Sequence, residues 1–372
     1  MADATCMGCG CACDDIDVTD AGPTRTCPLG DAWFAARSGD RPPVARLDGR
    51  TVGVDEAVDA AAAMLSQARA PLVYGLGQTS CEAQRRAVAL AEAIGAVIDV
   101  GAAVDAYTSI GSSTATFGEI RDRPGLVVVW RADPAVTHPR LLERLRLDPA
   151  DVVVVDAQRT ATAEAAAGFV ELEASGDFEA LWALRASIRG DEAGRLDDLA
   201  ERILAARHVA IIYGAVDELT ALALLSVVRD LSRDRHAVTL ALRADGNARG
   251  AEDVLTWKTG FASAVSFARG FPREAPRVAA LLERGEVDAA LVVAADPLEE
   301  LPRLRGLPMV AVDALETATS RAARIAFATA ADGIEVPGTV HRMDGVPVPV
   351  RAPRAADRPG VEDVLAAIGG RL

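Results

Sequence analysis

Aromatic residues are scarce in this 372-residue chain, at 4% of the total, and basic residues are outnumbered by acidic ones, 39 to 54. The net charge of -15 opposes general binding to nucleic acid or to anionic membranes, because phosphate contacts need a basic surface. The apolar runs are shorter than the roughly 18 residues of a membrane-spanning helix, and no hydrophobic leader precedes the first cysteines. We therefore expect a cytoplasmic protein with no nucleic-acid or membrane partner.

Histidine is also rare, and the spacing of its copies indicates no metal site: His138, His208, His236 and His341. No G-x-S-x-G stretch is present. The loop at residues 75–80 (GLGQTS) has Ser80 where a dinucleotide fingerprint needs its third glycine, so NAD binding is not expected. Cys81 follows, either as a thiol with a depressed pKa at a helix N-terminus or as a small core residue, and we favour the core interpretation.

Half of the residues are hydrophobic, and short valine-rich runs alternate with amphipathic stretches, which is typical of α/β proteins. Continuous apolar strands with helices between them indicate a parallel sheet that is buried on both faces. Strands are predicted at residues 70–77, 97–100, 126–130 and 151–155, and helices at 54–68 and 80–94. Residues 209–214 and 287–297 repeat the pattern, with a helix at about 217–232.

This repetition predicts an α/β fold with two related doubly wound, mostly parallel-sheet halves and a small N-terminal cysteine-rich segment. A Gly/Pro-rich link at residues 38–48 and the length of the chain set the boundaries. We expect a cysteine-rich segment at 1–45, a first half at 46–206, and a second half with a C-terminal tail at 207–372.

The carboxyl ends of the predicted strands are the expected ligand-binding edge. Loops at Gly75, Asp133, Gly214 and Asp296 follow four of these strands and are expected to face one crevice. Asp133 and Asp296 each precede a proline, and Asp-Pro after a strand is also ordinary turn chemistry. A purely structural role for these aspartates therefore stays open.

Five of the six cysteines lie in residues 5–30 (TCMGCGCACDDIDVTDAGPTRTCPLG). Gly8 and Gly10 let this short loop wrap around a bound metal without Cβ clashes. Four thiolates can therefore converge on one site, through a C-x2-C-x3-C run and a later Cys-Pro: Cys6, Cys9, Cys13 and Cys27.

Such a set of thiols suits a [4Fe–4S] cluster, which four cysteine thiolates hold, and zinc is the main alternative. Cys11 lies so close to the other cysteines that different combinations of ligands stay open. A disulfide pair is disfavoured because nothing marks the chain as secreted. A cysteine loop that has lost its cluster is the remaining alternative.

Four separated stretches carry a family resemblance: residues 6–16 (CMGCGCACDDI), 116–141 (TFGEIRDRPGLVVVWRADPAVTHPRL), 245–272 with TWKTGFASAVSFARGFP from Thr256, and 333–349 (GIEVPGTVHRMDGVPVP). Their order and spread cover nearly the whole chain. Together they resemble the B subunit of formylmethanofuran dehydrogenase, a member of the molybdopterin oxidoreductases.

The departures from this family concern its metal. The resemblance implies that active members hold tungsten or molybdenum through a cysteine or selenocysteine that precedes the T-x-G-E stretch. Residues 101–116 (GAAVDAYTSIGSSTAT) look shortened and contain no cysteine, and the hydroxyls of Ser109, Ser112 and Ser113 are poor soft ligands. The spare thiol, Cys81, lies outside the motif. No molybdopterin metal centre is therefore expected.

The chain is more similar to the B subunit of the bacterial formyltransferase/hydrolase complex of methylotrophic one-carbon metabolism, which looks like a dehydrogenase subunit without its metal. The resemblance implies a complex that moves a formyl group from tetrahydromethanopterin to methylofuran and hydrolyses formyl-methylofuran to formate. The implied partners are amidohydrolase-like, formyltransferase and C-type subunits, which carry the catalysis. The chain itself is expected to be a non-redox structural subunit with no catalytic residue.

Three basic residues in the shared stretches are candidate cofactor contacts: Lys258, Arg269 and Arg342. We expect them to meet an anionic tail such as a glutamate chain on methylofuran, although packing or salt-bridge roles stay open. Two other functions also stay open. One is an active molybdenum or tungsten formylmethanofuran dehydrogenase subunit, and the other is an iron–sulfur electron-transfer module.

Overall fold

A computed structural model describes residues 2–19, 22–39, 41–101, 106–123, 125–191, 194 and 196–372, without the side chains of residues 2 and 108. In residues 2–101 the elements are β1 (Ala2–Cys6), β2 (Cys13–Thr19), β3 (Gly22–Thr24), α1 (Pro28–Ser38), β4 (Ala45–Leu47), β5 (Arg50–Thr51), α2 (Val54–Gln67), β6 (Pro71–Gly75), α3 (Cys81–Ala93) and β7 (Val97–Asp99).

From residue 106 the elements are α4 (Ala106–Ile110), α5 (Phe117–Asp122), β8 (Leu126–Trp130), α6 (Pro134–Thr137), α7 (Leu141–Leu145), β9 (Val152–Asp156), α8 (Ala161–Ala165), β10 (Gly168–Glu171), α9 (Asp177–Ile188), α10 (Asp197–Ala205), β11 (His208–Tyr213), α11 (Glu218–Leu231) and β12 (His236–Ala241).

The last part contains α12 (Ala248–Thr259), β13 (Ala264–Ser266), β14 (Arg273–Glu274), α13 (Val278–Glu283), β15 (Ala289–Val293), β16 (Met309–Asp313), α14 (Ala318–Ala322), β17 (Ile325–Ala328), β18 (Gly338–His341), β19 (Pro347–Val350) and α15 (Val361–Gly369). None of the described helices combines the length and the apolar composition that crossing a bilayer requires.

The larger sheet of the described residues has the strand order β14-β13-β7-β6-β15-β16-β17-β4-β5. Its central strands from β7 to β17 are parallel, and β13 and β4 join the edges antiparallel. Along β15, Leu291 and Val293 pack into the core that includes α2, α3 and α15, whereas Ala290 and Val292 pack towards α13. Both faces are covered, which explains why this strand is continuously apolar.

A second sheet has the order β10-β9-β8-β11-β12, and every described pair in it is parallel. The valine-rich strand predicted at residues 126–130 is β8, and the strand predicted at 151–155 is β9, one residue further along the chain. Every pair of the second sheet is parallel, and so are the four central pairs of the larger sheet, whose four outer pairs are antiparallel. The α/β class predicted from the sequence agrees with the structure, and the predicted parallel pairing is found in the second sheet and at the centre of the larger one.

The chain divides into two compact units at boundaries that differ from the predicted 1–45, 46–206 and 207–372. The first unit comprises the described residues of Met1–Ala102, Asp245–Arg342 and Pro347–Leu372, and the second those of Ala103–Ala244 and Met343–Val346. The reason is long-range pairing, since β6 pairs with β15 and β8 pairs with β11. The cysteine-rich segment also belongs to the first unit rather than standing apart.

The predicted loops at the strand ends are distributed over both sheets. Gly75 ends β6 and Asp296 follows β15 in the first unit, whereas Asp133 and Gly214 follow β8 and β11 in the second. The four loops are therefore divided between the two parallel-centred sheets, two loops on each.

The Asp-Pro turn after β8 holds the start of α8. The carboxylate of Asp133 accepts hydrogen bonds from the backbone N–H groups of Ala161 and Thr162, at 3.1 and 2.9 Å, and from the Thr162 hydroxyl at 2.6 Å. These donors belong to the first turn of α8, whose N–H groups have no partner within the helix. The aspartate is therefore occupied as a structural cap.

The Asp-Pro turn after β15 repeats this arrangement in the other sheet. Asp296 accepts from the N–H groups of Ala318 and Thr319, at 3.1 and 2.8 Å, and from the Thr319 hydroxyl at 2.6 Å. The backbone before each turn also matches, since Arg131 and Ala294 have φ values of 49° and 48°. Of the two interpretations of these aspartates, the structure favours the structural one.

Replacing Asp296 by alanine is expected to lower the free energy of unfolding by about 1 kcal/mol, the usual cost of losing a helix cap. Burial raises the pKa of Asp296, but the hydrogen bonds from Thr319 and Ala318 outweigh it and hold this pKa below its ordinary value. The stabilisation is therefore present above the pKa of an unfolded aspartate, about 3.9, and is lost as the pH falls through the folded-state pKa. Urea unfolding of both proteins at neutral and acidic pH measures this, and equal midpoints at pH 7 would contradict the capping role.

Candidate cysteine centre and adjoining cleft

Four of the N-terminal cysteines lie on a β-hairpin. Strands β1 and β2 pair antiparallel, and Cys6 stands directly opposite Cys13. Cys9 and Cys11 lie in the connecting turn, where Ala12 has a left-handed φ of 40° and donates its N–H to the Cys9 carbonyl at 3.2 Å. All four cysteines are buried. The C-x2-C-x3-C spacing thus produces a tight turn with thiols on both arms.

Helix α1 brings the last of these cysteines to the hairpin. Cys27 is the N-cap residue of α1, and its carbonyl accepts the N–H of Asp31 at 2.8 Å. Pro28 begins the helix, a position where its missing N–H costs nothing. A Cβ on Gly30 would lie 3.3 Å from the Cys6 sulfur, so the first turn of α1 rests against that thiol.

The Cys6 thiol is surrounded by the other predicted ligands. Burial raises the pKa of Cys6 to about 12. The N–H of Gly8 donates to its Sγ at 3.4 Å and opposes this rise, while the neighbouring thiols of Cys13, Cys9 and Cys27 add to it. The other three residues predicted as metal ligands therefore lie near Cys6.

The described thiols lie near one another but are not arranged as a complete set of metal ligands. Among the described residues, no group of three or more His, Cys, Asp or Glu side chains is arranged to hold a metal ion. None of the six cysteines is joined in a disulfide, which disfavours the disulfide alternative. Cys11 is 1% exposed and remains an additional sulfur in the hairpin. The donor set is nevertheless one that suits zinc or an iron–sulfur cluster.

A cleft of about 520 Å³ lies beside α1 within the first unit. The loops that follow β6, β15, β16 and β17 form its floor, so it occupies the carboxyl edge of a parallel sheet, where such folds bind ligands. Trp33 and Arg37 of α1 form part of its wall, and Asp296 lies in the lining. Helix α1 therefore connects the cysteine hairpin with the cleft.

Two glycines beside this cleft allow neighbouring segments to pack closer than a Cβ atom would permit. Gly75 has φ of 108°, and a Cβ on it would come within 2.5 Å of the Val293 carbonyl oxygen, which also accepts the Leu76 N–H at 2.8 Å. A Cβ on Gly77 would overlap the carboxylate of Asp245. The incomplete dinucleotide fingerprint of this loop is thus explained by packing of β6 against its neighbours.

Carboxylates outnumber cations in the cleft. The acidic residues of its described lining are Asp245, Asp296, Glu300, Asp313 and Asp332. Arg37 contributes a guanidinium group to the same lining. Its Cζ atom lies 4.5 Å from the centre of the Trp33 ring, and its side chain donates a hydrogen bond to the Trp33 carbonyl at 3.3 Å. The charged groups of the described lining are therefore predominantly acidic.

Two of these carboxylates are deeply buried. Burial raises the pKa of Asp313 to about 6, against a hydrogen bond from the Leu315 N–H and the charge of Arg37. Burial likewise raises the pKa of Asp332 to about 6, although the Thr79 hydroxyl donates to it at 2.6 Å. Both groups are predominantly charged at neutral pH, in surroundings that disfavour the charge.

Cys81 is a core residue, as the favoured interpretation predicts. It is 1% exposed, and burial raises its pKa to about 11, so the alternative of a depressed pKa is wrong. Its neighbour Asn247 is fully buried and donates to the Thr79 carbonyl at 2.7 Å, while accepting the His341 N–H at 2.7 Å. Nothing in the local sequence marks Asn247, because its partners are distant along the chain.

The spacing of the histidines in the sequence indicates no metal site, but in the structure the rings of His208, His236 and His341 contact carboxylates or other rings. His341 bonds through Nδ1 to the carboxylate of Asp253 at 2.7 Å. In the second unit, the parallel register of β11 and β12 places His208 opposite His236, with ring centres 5.5 Å apart. Nε2 of His236 lies 3.1 Å from a carboxylate oxygen of Glu119, beside a cavity of about 100 Å³. The register of β11 and β12 is what brings His208 and His236 together.

The three predicted cofactor contacts all lie in the first unit, on separate elements. Lys258 is exposed in the last turn of α12, and Arg269 is exposed in the turn after β13. Arg342 directly follows β18 and is half-buried. Lys258 is also the only lysine in the sequence. The neighbouring Trp257 is 63% exposed, so this end of α12 presents both an aromatic and a basic side chain.

No protein-family model matches this chain. Two similar proteins are B subunits of tungsten-containing formylmethanofuran dehydrogenase 2. The one from Methanocaldococcus jannaschii is 31% identical over 94% of this chain and 93% of its own length. The one from Methanococcus maripaludis is 30% identical over 93% of this chain and 92% of its own.

A third relative is the B subunit of the formyltransferase/hydrolase complex Fhc of Methylorubrum extorquens, 30% identical over 68% of this chain and 74% of that protein. Among solved structures, a chain of the formyltransferase/hydrolase complex FhcABCD from M. extorquens, in complex with methylofuran, matches with a TM-score of 0.76 and 26% identity. It aligns with 88% of this chain and 98% of its own.

Fold and sequence together describe an α/β protein that is similar to B subunits of formylmethanofuran dehydrogenase and of a formyltransferase/hydrolase complex. The chain belongs to the family of formylmethanofuran dehydrogenase B subunits, which confirms the resemblance stated from its four sequence stretches.

Proposed function

We propose that this chain is a non-redox structural subunit of a formyltransferase/hydrolase complex that converts formyl-methylofuran to formate. Its partners would be amidohydrolase-like, formyltransferase and C-type subunits, working in the cytoplasm. The observation that carries this proposal is the likeness to a chain of the FhcABCD complex, which extends over 88% of this chain and 98% of that one.

The region where active relatives are expected to bind tungsten or molybdenum supports a non-redox role. Between residues 101 and 116 the nearest candidate ligands are the hydroxyls of Ser109, Ser112 and Ser113, all exposed, and residues 102–105 lie outside the described part of the chain. A hydroxyl is a poor ligand for a soft metal. Cys81 is held in the core by Asn247 and is not positioned as a substitute.

We assign the cysteine centre a structural role. Cys6, Cys9, Cys13 and Cys27 would hold a [4Fe–4S] cluster, or zinc as the alternative, and the bound metal would cross-link the hairpin to the start of α1. The neighbouring thiols around Cys6 and the N–H donated by Gly8 support this ligand set. Because the cross-link would fix the hairpin and α1 relative to each other, the metal would supply rigidity rather than redox chemistry.

The anionic part of methylofuran would contact Lys258, Arg269 and Arg342. A chain with a net charge of -15 repels anions in general, so an anionic tail needs a local set of basic groups. The exposed indole of Trp257 beside Lys258 adds an apolar surface for the uncharged part of the same ligand.

Charge reversal at Lys258→Glu or Arg269→Glu is expected to weaken methylofuran binding by the assembled complex on the order of tenfold, because each replaces an attraction by a repulsion. Binding is measured by calorimetry on the intact complex. Arg303→Glu is the matched control, since Arg303 is exposed in the same unit but outside the shared stretches. Equal affinity in all three variants would contradict the assignment.

The single lysine offers an independent measurement. Mild acylation of the complex labels exposed amines. Because Lys258 is the single lysine of this chain, its peptide reports the extent of labelling at this site. We expect bound methylofuran to slow acylation of Lys258 several-fold. Unchanged labelling under saturating methylofuran would place the ligand elsewhere.

A second candidate function is an active molybdenum or tungsten formylmethanofuran dehydrogenase subunit, favoured by the two relatives that are named tungsten-containing. A bound pterin cofactor and formate-dependent dye reduction would support it. An iron–sulfur electron-transfer module is a third, and it requires a redox-active N-terminal cluster.

We also infer that the two sheets derive from related doubly wound units. The matching Asp-Pro caps at Asp133 and Asp296 support this, as does the reversal of strand order between β8 and β11.

A further inference from the structure

His341 is held through both its backbone and its side chain by residues of α12 and its N-cap. Its N–H donates to the side-chain oxygen of Asn247 at 2.7 Å, and its Nδ1 atom lies 2.7 Å from a carboxylate oxygen of Asp253. Asn247 is the fully buried N-cap residue of α12, and Asp253 lies within that helix. Because a carboxylate only accepts hydrogen bonds, Nδ1 carries the ring proton and the imidazole is fixed in position.

The other ring nitrogen of His341 is open to a ligand. Nε2 makes no hydrogen bond to any described residue, and it is not closed off from solvent, although the side chain is only 10% exposed. A neutral imidazole presents a lone pair at this atom, whereas an imidazolium presents a second N–H donor. Protonation of His341 therefore changes both its charge and the kind of group that Nε2 can bind.

The charged groups that face His341 from α12 and α3 already have partners. Arg249 lies 3.0 Å from the carboxylate of Asp253. Burial raises the pKa of Asp253, but the hydrogen bond from His341 and the charge of Arg249 outweigh it and hold this pKa below its ordinary value. On α3, the carboxylate of Glu82 accepts the N–H of Thr339 at 2.9 Å. Asp253 therefore stays charged over the pH range in which histidine side chains titrate.

His341 also adjoins the residues proposed to contact the anionic part of methylofuran. Its ring packs against the exposed indole of Trp257, with ring centres 5.3 Å apart and planes at 62°. Lys258 follows Trp257 in the last turn of α12, and Arg342 follows His341 at the end of β18. The contact between the two rings thus brings the elements that carry two of the three proposed basic contacts together.

We propose that His341 is a further contact for a carboxylate of the ligand at this site, and that its protonation strengthens binding. The proton comes from solvent, Nε2–H donates to the ligand carboxylate, and Nδ1–H stays with Asp253. This inference rests on the proposed methylofuran site and adds a dependence on pH to it. His341 is the one histidine of the first unit, since His138, His208 and His236 lie in the second.

The test is calorimetry of methylofuran binding to the intact complex between about pH 6 and pH 8, the range in which histidine changes charge, in buffers of different ionisation enthalpy. The ligand carboxylates stay charged throughout this range. We expect affinity on the order of tenfold higher at the acidic end, with net uptake of protons on binding, because the charge-assisted hydrogen bond forms only with the imidazolium.

His341→Gln separates a binding role from a packing role. This variant should match the unmodified complex at the alkaline end, bind on the order of tenfold more weakly at the acidic end, and lose the proton uptake. Burial raises the pKa values of Asp313 and Asp332 to about 6, but both residues are unchanged in the variant and do not account for a difference. His236→Gln, at a partly exposed histidine of the second unit, is the control and should retain the pH dependence.

The outcomes distinguish this inference from the proposed function on which it rests. Weaker binding by His341→Gln at both ends of the pH range would show a packing role and overturn the inference, as would proton uptake that persists in this variant. Methylofuran binding that does not change with pH in the unmodified complex would also overturn it and leave the proposed site standing. No binding at all would overturn both.

Discussion

Replacing Cys9 or Cys27 by serine is expected to abolish metal binding and to unfold the N-terminal hairpin. A serine hydroxyl does not replace a thiolate for zinc or an iron–sulfur cluster, so one lost ligand opens the site. The free energy at stake is large: structural zinc contributes on the order of 10 kcal/mol to the folding of small peptides at neutral pH. We expect the hairpin, which has little core of its own, to depend on such a cross-link.

The effect should also reach the rest of the first unit. Met7 in the hairpin turn is fully buried, and its backbone lies directly against Gly246. Gly246 lies just before the start of α12. The carbonyl of Thr5 lies against Gly333 in the same way. The hairpin is therefore part of the packed unit, and its loss should lower the melting temperature, whereas an independent segment would leave it unchanged.

Metal content, thermal unfolding and limited proteolysis measure these effects on the complex and on the full chain. Cys11→Ser is the matched control, because Cys11 lies in the same turn but outside the predicted ligand set. We expect Cys11→Ser to retain its metal, and Cys9→Ser and Cys27→Ser to lose it with early cleavage near the hairpin. Unchanged metal and stability in both ligand variants would contradict the assignment, and metal loss in Cys11→Ser would redefine the ligand set.

Replacing Gly246 by alanine is expected to destabilise the first unit by about 3 kcal/mol or more. An added Cβ would overlap the carbonyl oxygen, Cα and Cβ of Met7, and two of these three atoms belong to the backbone. A flexible side chain could rotate away, whereas the hairpin backbone has to move as a whole. The displacement would shift Cys6 at the end of β1 and Cys9 in the turn, so weaker metal retention should accompany the lower stability.

Gly306→Ala is the control for this substitution. A Cβ on Gly306 meets no atom within 4 Å, and its φ is not in the left-handed region. We expect its denaturation midpoint to match the unmodified protein within error. Normal stability and normal metal content in Gly246→Ala would mean that the hairpin does not pack against this glycine.

Local patterns predicted the elements of this fold well. The run LVVVW became β8 without a change of boundary, and Ser80 caps α3, where its hydroxyl accepts the Ala83 N–H at 3.4 Å. The cysteine spacing likewise predicted neighbours, since Cys6 and Cys13 lie opposite each other in a hairpin. In each case the interacting groups are close in sequence, and local chemistry determines their arrangement.

Long-range pairing was not predictable in the same way. The strand Pro71–Gly75 pairs with Ala289–Val293, more than two hundred residues later, and this pairing contributes to the difference between the predicted and observed domain boundaries. The acidic cleft was missed for the same reason, because Arg37, Asp245 and Asp313 come from distant parts of the chain. A carboxylate after a strand was visible in the sequence, but its function depends on which strands are adjacent.

The most direct test of the central claim is elemental analysis of the complex, purified anaerobically after co-expression of this chain with its partner subunits, for iron, zinc, molybdenum, tungsten and acid-labile sulfide. A non-redox subunit with a cysteine-held metal predicts iron with sulfide, or zinc, and neither molybdenum nor tungsten. Molybdenum or tungsten at about one atom per chain would contradict the account and would support the alternative function as an active dehydrogenase subunit.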